Sequence, residues 1–197
     1  MAGIERTLFD SDHEIFRDTV RRFVEEEISP FHAQWEKDGK ISREAWLKAG
    51  ELGLLCASMP EEYGGGGVDR TYSVVLMEEL ARAGATGPGF GLHSEIVAPY
   101  INRYGSEEQK RKFLPKMAKG EMIGAIAMTE PGTGSDLQGV RTTALKDGNE
   151  LVINGAKTFI TNGEMCDVVI MVCKTDPEAG AKGTSLVLVE SDREGFR

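Results

Sequence analysis

The spacing of apolar residues changes once along this chain, near residue 120, and that change limits the fold more than any other feature. Before it, apolar side chains recur every three or four positions, the period of one helix face. After it, they gather in short β-branched runs separated by tight-turn residues. A helical domain followed by a sheet satisfies both periods.

In the first part, Phe16, Val20, Phe23, Val24, Phe31 and Trp35 fall on one helical face, and Ser11 and Glu14 stand at capping-box spacing before them. Pro30 interrupts or kinks this helix, because proline removes a donor and crowds the preceding turn. A second helix is expected after Ser42, running through Trp46 and Leu47 to Gly53, which can take the left-handed conformation that ends helices. Pro60 and the glycines of 64–67 mark a surface loop read as flexible. Residues 72–85 and 90–104 are again apolar at helical spacing, and Ser106 with Gln109 repeats the capping signature ahead of 110–118. Residues 1–120 therefore read as an all-α domain.

Beyond it, the runs 122–128, 140–145, 151–153, 168–173 and 185–189 read as strands, with Asp147-Gly148-Asn149 and Asn154-Gly155 as turns. The expected fold class is α+β: the helical domain, then an antiparallel, β-barrel-like domain over 121–197.

Composition removes several functions. With 40% apolar residues and 24 glycines the chain matches an ordinary globular protein. A net charge of −9 argues against a phosphate-backbone surface, so no nucleic-acid partner is expected. Cys56, Cys166 and Cys173 lack CxxC spacing, which speaks against a disulfide framework or a cysteine-rich metal site and for reduced thiols. The N-terminal residues show no basic segment followed by an apolar run, and no stretch is long enough to span a membrane. The expected location is cytoplasmic.

The stretch 129–136, Thr-Glu-Pro-Gly-Thr-Gly-Ser-Asp, concentrates hydroxyls, glycines and a proline after an expected strand. Gly132 and Gly134 let backbone amides approach a ligand, and such a loop can present donors to a phosphate or to a heterocycle's carbonyl oxygens. The plainer alternative is a β-turn loop whose hydroxyls satisfy their own backbone. It lacks the lysine of a P-loop and the βαβ setting of a dinucleotide fingerprint. The stretch 157–163 reads as a strand that places Phe159 and Thr161 on one face, an aromatic ring beside a donor; its alternative is a half-buried strand with Phe159 in the core. His93, Glu130 and Asp136 read as structural, and His13 and His32 as surface helix residues.

IGAIAMTEPGTGSDLQGV followed by LVINGAKTFITNG resembles the flavin-binding signature of the acyl-CoA dehydrogenases. EKDGKISREAWLKAGELGLL, PEEYGG and YGSEEQKRKFLPKMAKGE are similar to that family's N-terminal helical domain. The resemblance covers essentially the whole chain and among subfamilies is closest to the long-chain enzymes.

It implies FAD as cofactor. Ile126, Ala127 and Met128 would lie along the isoalloxazine edge, and Thr129 would hydrogen-bond its pyrimidine side. Gly134 and Ser135 would meet the pyrophosphate, Ser135 also touching the acyl-CoA substrate. Phe159, where many members carry tryptophan, would stack near the flavin. Ile160 and Thr161 would follow it, with Thr161 near N5 and O4. Donors aimed there raise the flavin's electron affinity. The implied reaction is α,β-dehydrogenation of a fatty acyl-CoA to the trans-2-enoyl-CoA, electrons passing to an electron-transfer flavoprotein. The family's full-length enzymes are homotetramers, so a homo-oligomer is expected.

The family's base glutamate lies in a C-terminal helical domain, so no residue of this chain is assigned as catalytic, and the middle domain is expected to be incomplete. Two rivals stand beside this reading: an acyl-CoA oxidase-like flavoenzyme, and a non-catalytic fragment that binds FAD or acyl-CoA.

Overall fold

The computed structural model describes residues 7–197; the reading of residues 1–6 lies outside them. The chain divides into two compact units, one ending at Met122 and one spanning Ile123–Arg197.

In the first unit, α1 (Ser11–Phe23) starts one residue earlier than expected from its cap. Asp10, not Ser11, accepts from the Asp12 and His13 amides, and the His13 ring returns to the Asp10 amide. A carboxylate satisfies two orphan donors and also faces the positive end of the helix. A π-helical turn, Val24–Ile28, leads without a break into α2 (Ser29–Asp38), so the expected irregularity before Pro30, which donates no N–H, takes the form of a widened turn. α3 (Arg43–Glu51) is capped by Ser42, whose hydroxyl accepts from the Ala45 amide at 3.2 Å. α4 (Thr71–Arg82) follows, then α5 (Phe90–Leu92), which continues through the π turn His93–Val97 into α6 (Ala98–Tyr104). α7 (Glu107–Ala118) begins at the capping box of Ser106 and Gln109 that the sequence announces.

The core of this unit gathers on Trp46, which meets the Phe90 ring edge-on at 4.7 Å and the His93 ring at 5.1 Å. Ile28, Leu55, Ile101, Leu114 and Met117 are also fully buried in this unit, each contributing roughly 2 kcal/mol of transfer free energy. Gly120 has φ of 70°, and a Cβ there would stand 2.1 Å from the Trp46 carbonyl, so this turn tolerates no side chain.

Two expectations for this unit are corrected. His13 is not a surface residue: it is 6% exposed and bonded to Asp10 and Thr71. His32 is half-buried, its Nε2 accepting from the Gly87 amide at 3.1 Å. For both histidines a contact distant in sequence draws the side chain away from solvent. The glycines of 64–67 lie in a surface loop, as expected, with local backbone bonds that shape it. The Gly67 amide donates to Met59 at 2.9 Å, and a Cβ on Gly65 would meet that same carbonyl oxygen.

The second unit is a five-stranded sheet: β1 (Gly124–Ala127), β2 (Thr143–Asp147), β3 (Glu150–Asn154), β4 (Val168–Lys174) and β5 (Thr184–Glu190). β2 and β3 form the expected hairpin, closed by the pair Asp147 and Glu150, with Gly148 at φ 59°. β4 and β5 pair antiparallel along their whole length.

The sheet is neither purely antiparallel nor closed. β1 runs parallel to β4, from Gly124 opposite Val168 to Ala127 opposite Met171, and β2 joins the same edge of β4 in parallel at Lys174. Parallel neighbours need a long crossover, and the segment between β1 and β4 provides it, carrying the β2–β3 hairpin on the way. Ala125, Ala127, Val169 and Cys166 form an apolar cluster against which Ile160, Met171, Val189 and Phe196 pack.

Candidate cofactor site

The chain leaves β1 into a tight loop. The Glu130 amide donates to the Thr133 carbonyl at 2.8 Å and the Thr133 amide returns the bond at 3.1 Å, which puts Pro131 and Gly132 at the apex. Asp136 accepts from the Gln138 amide at 3.1 Å and caps the short 3₁₀ turn Leu137–Gly139. Gly134 and Ser135 are exposed, and a Cβ added at Gly132 or Gly134 would meet nothing within 4 Å.

Glu130 is committed to structure. Its carboxylate accepts from the Arg141 amide at 2.8 Å, the Thr142 amide at 3.0 Å and Lys157 Nζ at 2.9 Å. Burial opposes ionisation, but hydrogen bonds from Thr142, the Arg141 amide and Lys157 outweigh it and hold the carboxyl at about 2. A carboxylate that stays ionised and fully bonded is a poor general base.

Residues 157–163 are not a strand. Phe159 and Asn162 have φ of 57° and 65°, and the turn bonds Gly163 to Ile160 and Met165 to Asn162 fold the segment back. Phe159 is not in the core: it is 93% exposed. The Thr158 amide donates to the Thr129 carbonyl at 3.0 Å, and the Asn162 side chain donates to the Gly124 carbonyl at 3.1 Å. These bonds to β1 and its loop replace the strand ladder. A left-handed phenylalanine costs on the order of 1–3 kcal/mol, a cost found most often at functional positions.

The candidate residues therefore divide. Ile126 and Ala127 are buried, so their side chains belong to the core. Met128 and Thr129 are partly exposed, and Phe159 and Thr161 face solvent. Ile160 packs on the sheet cluster. The structure brings Thr129 beside the Thr158–Phe159 backbone. Among the described residues, no hydrogen bond links Gly134 or Ser135 to 159–161. An open hollow of about 1390 Å³ runs over the same sheet, its lining including Ala127, Phe159, Ile160, Met171, Val189 and Phe196.

Lys157 and Asn162 were not singled out in the sequence, and both organise the site. The Asn162-Gly163 dipeptide is a turn signal that the strand reading passed over. For Lys157 the signal was one lysine in an otherwise uncharged segment.

Residues 10–121 match the family model "Acyl-CoA dehydrogenase, N-terminal domain", and residues 125–197 match "Acyl-CoA dehydrogenase, middle domain". The chain belongs to the acyl-CoA dehydrogenase family. Among its relatives, the long-chain specific acyl-CoA dehydrogenase, mitochondrial, of Sus scrofa is 56% identical over 196 residues, covering 98% of this chain and 45% of that protein. The chain thus spans about half the length of the curated relatives it matches. A crystal structure of acyl-CoA dehydrogenase from Geobacillus kaustophilus superposes with a TM-score of 0.93 at 50% identity, over 97% of this chain and 51% of that one. An acyl-CoA dehydrogenase from Bacillus anthracis, complexed with FAD, gives 0.88 at 38% identity, over 98% and 33%. Among the described residues, no helix is long and apolar enough to cross a membrane.

Proposed function

We propose that this chain is the N-terminal and middle-domain portion of a flavoenzyme that dehydrogenates a long-chain fatty acyl-CoA to the trans-2-enoyl-CoA. The observation that carries the reading is Phe159, an aromatic ring held in solvent by a left-handed backbone next to the Thr129 loop. A flat, hydrogen-bonding cofactor fits such a place, because the ring offers a stacking face and the loop offers donors.

When bound, FAD would supply the hydride acceptor. Phe159 would stack near it, and Thr129 and Thr161 would donate to its polar edge, while Ile126, Ala127 and Met128 would border it through their backbone. Gly134 and Ser135 would meet the pyrophosphate, with open space at Gly134 for close approach, and Ser135 would also touch the substrate. The α-proton would leave to a glutamate outside this chain, and the electrons would pass to an electron-transfer flavoprotein. A homo-oligomer belongs to the same reading. So does a reducing compartment: cytoplasmic fits the three buried free thiols, although the Sus scrofa relative is named mitochondrial.

The test is the visible spectrum of the purified chain after incubation with FAD and desalting. Retained, shifted flavin bands are expected; a folded but colourless protein would overturn the reading for this chain.

A further inference from the structure

The edge of β4 that faces β1 and β2 has a split in it. β1 pairs with β4 as far as Met171, and β2 takes up the edge at Lys174, where the Lys174 amide donates to the Thr142 carbonyl at 2.8 Å. Backbone groups point to the same edge at every second residue, so the Val172 carbonyl faces this split between the two strands. Lys157 fills it. Its Nζ donates to the Val172 carbonyl at 2.6 Å, the Met128 carbonyl at 3.0 Å and Glu130 Oε1 at 2.9 Å. Three acceptors match the three protons of an ammonium.

Glu130 completes the join from the other side. Its carboxylate holds the amides of Arg141 and Thr142, the residues that lead into β2. The pair therefore connects the exit of β1, the entry of β2 and the middle of β4, at side-chain exposures of 8% and 7%. Both segments that carry the candidate cofactor residues hang from it. Thr129 lies between Met128 and Glu130, and Phe159 lies two positions after Lys157, past the Thr158 amide bonded to Thr129.

We propose that Lys157 and Glu130 are positioning residues for the cofactor: together they replace a missing piece of strand ladder and so fix the Thr129 loop and the Phe159 segment in register. The proposal rests on the flavin reading above. Neither side chain needs to touch the cofactor, because a backbone displacement of about 1 Å at a binding loop is enough to lose affinity.

The test compares the chain with the double variant Glu130→Gln, Lys157→Met, which removes both charges together at similar volume. FAD is titrated by fluorescence quenching, and hydrogen exchange of the Thr158 amide is followed in the absence of FAD. The variant is expected to keep its far-ultraviolet circular dichroism, bind FAD at least tenfold more weakly, and exchange the Thr158 proton at least tenfold faster.

Unchanged affinity, or weaker affinity with unchanged Thr158 exchange, overturns the positioning role while leaving the flavin reading in place. Failure of the unaltered chain itself to bind FAD overturns the flavin reading, and the positioning role with it. Lys157→Arg is the second variant: it keeps the charge but not the three-acceptor geometry, and a severalfold loss of affinity is expected. If both variants unfold, the pair is a requirement of folding and the positioning role is overturned.

Discussion

Glu130 Oε1 and Lys157 Nζ stand 2.9 Å apart with 7% and 8% of their side chains exposed. Desolvating two charges is expensive, and here the cost is met by further bonds to two carbonyls and two backbone amides. The arrangement makes the pair more costly to break than to replace.

Glu130→Gln alone or Lys157→Met alone is expected to destabilise the chain by about 3 kcal/mol, since each leaves one charge buried without its partner. The double substitution is expected to recover most of that loss. Urea unfolding of the four proteins, read as a double-mutant cycle, measures the coupling; additive effects would contradict it.

Acid should act through the same carboxylate. The folded-state value of about 2 lies below the 4.5 of a free glutamate, so Glu130 contributes stability above about pH 4.5 and loses it as the pH falls toward 2. The contribution is about 3 kcal/mol by linkage. Glu79, whose carboxyl is opposed by burial but lowered by Arg21 and Arg17, titrates in the same direction. Unfolding free energy measured from pH 5 to pH 2.5 is therefore expected to fall more steeply in the unaltered chain than in Glu130→Gln.

Phe159 is expected to separate binding from stability. Its ring is 93% exposed, so Phe159→Ala should change the unfolding free energy by less than about 0.5 kcal/mol. Loss of a stacking face should weaken FAD binding by roughly 1 kcal/mol, about fivefold. Calorimetric titration alongside thermal melting tests both halves, and a large stability loss would show that the ring is part of the core.

In the helical unit, Glu79 is 4% exposed and accepts from Arg17 and Arg21 at 3.1 Å each. Glu79→Ala is expected to cost about 2 kcal/mol by leaving two guanidinium groups without their buried acceptor. The melting temperature measured by circular dichroism at 222 nm should drop accordingly, and an unchanged value would show that the cluster contributes nothing.

The thiols should be slow. Burial pushes Cys56 up to about 12 and raises Cys166 and Cys173 as well, so little thiolate exists near neutrality. A disulfide reagent at pH 8 is expected to label the native chain far more slowly than the urea-unfolded chain, Cys56 last of the three.

Local signals were legible in the sequence. The capping box of Ser106 and Gln109, the cap at Ser42 and the hairpin turn at Gly148 each depend on residues within a few positions of one another. The periods of 3.6 and 2 likewise located helices and strands, because a side chain's face repeats along its own element. The motif around Thr129 and Phe159 was legible for the same reason, as two short strings in order.

What tertiary structure decided was every relationship between residues far apart in the chain. The parallel pairing of β1 with β4, the open sheet edge, the burial of His13 against Thr71 and the turning of 157–163 away from a strand have no period to announce them. Lys157 shows the reason most plainly. A lysine in sequence reads as a solvated charge, and only the split on β4, with the Val172 and Met128 carbonyls and Glu130 converging on it, creates the one place where burying that charge is favourable.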